Sequence, residues 1–106
     1  MKRTEAATPE EEALWRALEK HQGESFATFR GLEFTYTIRG NELFVSRKDK
    51  SITRATVNIA YRQAMAIQRS GKAVDGPKKL GTFGASYLYP VFIRLGIIRI
   101  EPLEEK

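Results

Sequence analysis

An α+β fold is predicted by three observations in this 106-residue sequence. A capped amphipathic segment lies near the start, an alternating segment reverses at Gly40-Asn41, and a second amphipathic stretch follows a charged link. The expected order is an N-terminal helix, a β-hairpin extendable to a three-stranded meander, two further helices with helix-turn-helix-like or winged character, and a short C-terminal strand. A single domain over 1–106 is expected, because one hydrophobic core typically takes on the order of 100–150 residues. Residues 1–7 and 102–106 are expected to be flexible ends.

The first helix is predicted over 9–22. Thr8-Pro9-Glu10-Glu11 supplies a hydroxyl cap, a proline at the first helical position and a glutamate three residues after the cap, which is the capping-box arrangement. Leu14, Ala17, Leu18 and His21 follow at helical spacing, and Gly23 ends the element. His21 is expected as a partly buried cap or surface group. Residues 26–29 form a short strand candidate. Residues 32–38 then alternate apolar and polar as a half-buried strand does. A turn at Gly40-Asn41 pairs Arg39 with Glu42, Ile38 with Leu43, Thr37 with Phe44, Tyr36 with Val45 and Thr35 with Ser46. Tyr36, Ile38, Leu43 and Val45 fall on the core face. Phe44 falls on the other, where a neighbouring element or a partner is expected to cover it.

The charged link Arg47-Lys48-Asp49-Lys50 leads to Ser51, the expected cap of a long helix over 52–69. Its buried stripe is Val57, Ala60, Tyr61, Ala64 and Ile67, widened by Ile52 and Ile59. Residues 72–81 read as a loop around Asp75-Gly76-Pro77. The last helix, capped by Thr82 or Ser86, carries Tyr87, Leu88, Val91, Phe92 and Leu95. Pro90 predicts a kink or restart there, Gly96 a C-terminal cap, and 97–100 a strand.

Composition narrows function by exclusion. The absence of cysteine rules out a disulfide scaffold, a thiolate-ligated metal and a thiol nucleophile. The lone histidine removes a two-histidine metal site or relay within one chain. No apolar run is long enough to span a bilayer, no secretory signal is visible, and a cysteine-free chain suits the cytoplasm. The formal charge of +5 is unevenly distributed, with −2 over 1–24, +9 over 25–100 and −2 over 101–106. A local basic field of this kind attracts polyanions.

Three features can carry that attraction. Arg54, Asn58 and Arg62 recur every fourth residue on one helix face, and these side-chain types suit bidentate contact with guanine and adenine edges. Arg47, Lys48 and Lys50 precede that helix, where phosphates flank an inserted N-terminus. Segment 76–86 holds Lys78, Lys79, Thr82 and Ser86 in a glycine-rich loop that can cradle a phosphate. It departs from a nucleotide-binding P-loop because Thr82 stands where that motif requires lysine. The third feature is the sequence of helix, loop, helix and strand, which resembles a helix-turn-helix core with a winged edge and puts Ser86 and Tyr89 near the contact surface. Tyr89 and Phe44 are the aromatics expected to stand apart from the core.

No spacing of carboxylates or serines supports catalysis, and no cofactor or metal is expected. The reading favours a small basic nucleic-acid-binding module, double-stranded DNA before RNA. The rival is a protein-interaction or homo-oligomerising domain.

Overall fold

In the computed structural model, residues 8–99 are described. The elements run α1 (Pro9–Lys20), β1 (Phe26–Ala27), β2 (Glu33–Phe34), β3 (Tyr36–Arg39), β4 (Glu42–Val45), β5 (Ile52–Thr53), α2 (Arg54–Arg69), a 3-10 helix (Pro77–Leu80) and α3 (Ala85–Arg94). The fold is α+β, with an antiparallel β3-β4-β5 meander and a separate β1-β2 ribbon. The expected flexible ends, 1–7 and 102–106, lie outside the described residues.

α1 starts as its sequence dictates. The Thr8 hydroxyl accepts from the Glu11 amide at 3.1 Å, and the Thr8 amide donates to Glu11 Oε1 at 3.2 Å. Leu14, Trp15 and Leu18 point inward. His21 is the C-cap, half-buried, with Nδ1 at 2.9 Å from Glu24 Oε2. The last turn of α1 is tied to the sheet by the Tyr36 hydroxyl, which donates to the Leu18 carbonyl at 2.7 Å. Burial pushes the Tyr36 phenol pKa well above its ordinary value, and the Glu24 carboxylate adds to this. The hydroxyl therefore stays a donor across the physiological range.

The hairpin register matches the alternation, from Tyr36 opposite Val45 to Arg39 opposite Glu42. Thr35 interrupts what reads as one strand over 32–38. Its carbonyl accepts from the Ser46 amide at 2.9 Å, but its own amide donates to the Ser46 hydroxyl at 3.0 Å, so the regular ladder is interrupted there. Phe26 and Phe34 of the ribbon stack at 5.8 Å, and Phe34 meets Tyr87 of α3 edge-on at 5.0 Å. Contacts of this geometry contribute about 0.5–1.5 kcal/mol each beyond area burial. Phe44 is half-buried on the outer face beneath the Arg39 guanidinium, 5.6 Å from the ring centroid.

α2 begins two residues later than its sequence predicts. Ile52 and Thr53 pair with Leu43 and Glu42 as the third strand, and Thr53 is the cap, accepting from the Thr56 amide at 3.2 Å. Ser51, the expected cap, instead donates to the Glu42 carboxylate. Val57, Ala60 and Ala64 are buried, with Tyr61 and Ile67 packed beside them, but Ile59 is exposed rather than part of the stripe.

α3 runs through Pro90 without a break. The missing Pro90 amide leaves the Ser86 carbonyl without its helical donor, and Ser86 is exposed, so water can satisfy it. Gly96 closes the helix with φ +80°, as the Gly96 amide reaches the Ile93 carbonyl at 3.0 Å and the Ile97 amide the Phe92 carbonyl at 2.9 Å. The expected C-terminal strand does not form over 97–99, and Ile100 lies outside the described residues. The Gln68 side chain occupies the place of a partner strand. Its Nε2 donates to the Ile97 carbonyl and its Oε1 accepts from the Arg99 amide, both at 2.9 Å.

Gly84, the N-cap of α3, has φ +78°, and a Cβ built there would lie 2.3 Å from Ile52 Cδ1. Gly84→Ala is therefore expected to cost about 2–4 kcal/mol, from backbone strain and overpacking together. Urea denaturation of Gly84→Ala, Ile52→Ala and the double variant checks this, because relief of the clash makes the combined loss smaller than the sum.

Candidate functional site

The eleven residues singled out from the sequence do not share one surface. Arg54, Asn58 and Arg62 line a cleft of about 710 Å³ bounded by Glu11, Glu12, Asn41 and Glu42. Lys78, Lys79 and Ser86 line a different groove of about 660 Å³, and no residue lines both. A smaller pocket of about 380 Å³, lined by Lys78, Gly81, Thr82 and Ser86 among others, adjoins the second groove.

The α2 face that resembles a base-reading surface is held by α1. Arg62 Nε donates to Glu11 Oε2 at 2.5 Å, and Glu11 is 1% exposed. Arg54 pairs with Glu12 at 3.2 Å, donates to Asn41 Oδ1 at 3.3 Å, and lays its guanidinium over the Trp15 ring at 5.1 Å from the centroid. Three carboxylates line this cleft against two guanidinium groups, so its local charge is not basic. The hydrogen bond from Arg62 holds the Glu11 carboxyl below its ordinary pKa, burial opposes it, and the Thr8 amide assists. Asn58 Oδ1 is buried without a hydrogen-bond partner among the described residues.

The other groove keeps its positive charge. Its wall is the turn between β1 and β2, which is closed by the Thr28 amide to the Leu32 carbonyl at 2.9 Å and the Gly31 amide to the Thr28 carbonyl at 2.8 Å. The Leu32 amide adds a bond to the Thr28 hydroxyl at 3.1 Å. This ordered turn displays Phe29 and Leu32, 74% and 48% exposed, with Arg30 between them. Across the groove stand Lys78, Lys79, Ser86 and Tyr87. Phe83 lies between Thr82 and Gly84 of the adjoining pocket, and the Lys48 and Lys50 ammonium groups approach its ring at 5.4 and 5.0 Å. Cations over an exposed ring gain on the order of 0.5–1 kcal/mol. Asp49 sits between the two lysines in sequence. Asp75 reaches Lys79 at 3.8 Å, but Lys48, Lys50 and Lys78 have no carboxylate within 4.0 Å among the described residues.

Two expected contact residues are turned to other uses. Tyr89 is buried at 7% exposure, against the expectation that it stands apart from the core, and its hydroxyl donates to the Val74 carbonyl at 3.3 Å. Burial raises its phenol pKa, and Asp75 adds to the shift. Arg47 donates through Nε to the Glu33 carbonyl at 2.5 Å. The Thr82 hydroxyl is buried and lacks a partner among the described residues. Phe29, Arg30 and Leu32 are additional groove residues that sequence reasoning left out. A phenylalanine beside Arg30-Gly31, where the chain must turn, is the signal that could have found them. Among the described residues no group of three or more His, Cys, Asp or Glu side chains is placed to hold a metal ion.

Removing Arg62 leaves a buried carboxylate without this partner. Arg62→Ala is expected to lose about 2–3 kcal/mol at neutral pH, less than the ~3–5 kcal/mol of a fully buried pair because the guanidinium side is mostly in solvent. Since Glu11 titrates lower in the folded state, its contribution is complete above its ordinary value of 4.5 and fades as pH falls toward the folded pKa. Chemical denaturation from pH 3 to pH 7 checks both points, and Arg62→Ala should show a weaker loss of stability on acidification. No family model, no curated protein and no solved structure matches this chain.

Proposed function

We propose that this chain is a non-catalytic, cytoplasmic nucleic-acid-binding module whose contact surface is the basic groove and glycine-rich loop before α3. The observation that carries this reading is the gathering of Lys48 and Lys50 at the exposed Phe83 ring, on the loop that follows Lys78 and Lys79. Lys48 and Lys50 reach this ring from a distant part of the sequence, and neither they nor Lys78 has a carboxylate pairing it among the described residues. Such a surface suits the phosphate backbone, where charge rather than base identity sets affinity. Reading of a duplex through α2 has less to support it, since Arg54 and Arg62 serve Glu12 and Glu11. A second reading, a protein-interaction or self-associating domain, draws on the exposure of Phe29 and Leu32.

Titration of fluorescent random-sequence oligonucleotides, single-stranded and duplex, between 20 and 300 mM salt tests the proposal. Affinity should fall linearly on a log–log plot, by about 0.7–0.9 in slope for each phosphate neutralised. The triple variant Lys48→Gln, Lys50→Gln, Lys78→Gln should flatten that slope by roughly 2–3, whereas Arg54→Gln should leave it unchanged. Absence of binding to either probe at low salt would sink the proposal. Concentration-dependent sedimentation without oligonucleotide binding would favour the second reading.

A further inference from the structure

The geometry points to unpaired nucleic acid as the ligand of this surface, with Phe29 and Phe83 as stacking platforms for bases; the inference rests on the nucleic-acid reading above. Four large apolar side chains are exposed among the described residues; Phe29 and Leu32 line the groove, and Phe83 stands between Thr82 and Gly84, which line the adjoining pocket. Leaving a phenylalanine in water forgoes much of the ~1.5–3 kcal/mol that burying it contributes. The exposure of Phe29 is not a by-product of a loose loop, because three hydrogen bonds close the turn that presents it. Phe83 is set by the Gly84 position, whose contact with Ile52 leaves no room for a side chain.

Charge decides which occupant these rings suit. A second copy docking the same patch on itself would bring Arg30, Lys78 and Lys79, offset in each copy only by Asp75, against their own equivalents, and this net like charge across an interface opposes association. A polyanion meets them favourably. Duplex DNA offers such rings only stacked, paired bases, whereas a single strand can lay successive base faces on the aromatics while its phosphates follow the lysines. Leu32 and the half-buried Tyr87 give the groove an apolar floor between the cations, where a sugar or base edge can pack.

The test compares an oligothymidine 20-mer, a 20-base-pair duplex, inorganic polyphosphate and polyglutamate on the full chain. The oligothymidine should bind on the order of 10-fold more tightly than the duplex, and Phe29→Ala and Phe83→Ala should each weaken it by roughly 5-fold or more. Circular dichroism and urea denaturation confirm that each variant folds. Phe29→Trp supplies a separate readout. Trp15, the one natural tryptophan, is buried, so quenching at the new indole by oligothymidine but not by polyphosphate reports stacking. Equal binding of strand and duplex with no loss in the alanine variants and no quenching overturns this inference but leaves the phosphate-binding reading standing. Tighter binding to polyglutamate than to any nucleic acid, or no nucleic-acid binding at low salt, overturns both.

Discussion

The Glu11 carboxylate is the constraint on which the arrangement of helices depends. Its Oε1 closes the first turn of α1 on Thr8, and its Oε2 receives Arg62 from α2, with almost none of the residue exposed to water. A buried carboxylate is costly unless its lone pairs are met, so α1 must lie where Arg62 can reach it. That placement brings Trp15 beneath Arg54 and sets Glu12 beside the same guanidinium. One side chain thus caps the start of one helix, joins it to another and offsets the charge of the face between them.

Local rules were legible in the sequence wherever a feature is satisfied by near neighbours. The capping box, the hairpin register and the Gly96 terminus all came out as their residues imply. Misreadings arose where a distant group competes. Ser51 and Thr53 are both able caps, and only the sheet edge offered by β4 decides that Ile52 is a strand residue. Ile97, Ile98 and Ile100 have the composition of a strand, yet the Gln68 amide takes up the backbone groups of Ile97 and Arg99 from 29 and 31 residues away. Pro90 is absorbed because the carbonyl it strands belongs to an exposed residue.

The candidate site was half legible for the same reason. Basic residues can be counted in a sequence, but their partners cannot. Arg62 and Glu11 are 51 positions apart, and their pairing removes from the α2 face the charge its spacing suggests. Lys48, Lys50 and Lys78 keep theirs, since no carboxylate approaches them among the described residues. The central excess of +9 is therefore not a uniform field. It is partly consumed in holding α1 to α2 and partly retained around Phe83 and the groove beside it. The groove's aromatic component was hidden because a turn phenylalanine has the same composition as a core phenylalanine, and only tertiary placement distinguishes them.

The contact between Gly84 and Ile52 joins two demands that most proteins keep apart. Ile52 belongs to the core and Gly84 to the loop that carries Phe83 and precedes Ser86. With no room for a side chain between them, the course of the surface loop is tied to the position of a core residue on the third strand. The same contact limits how the protein can diverge. A larger side chain at position 84 must displace either Ile52 or the loop, so core packing and loop shape at this corner constrain each other's divergence.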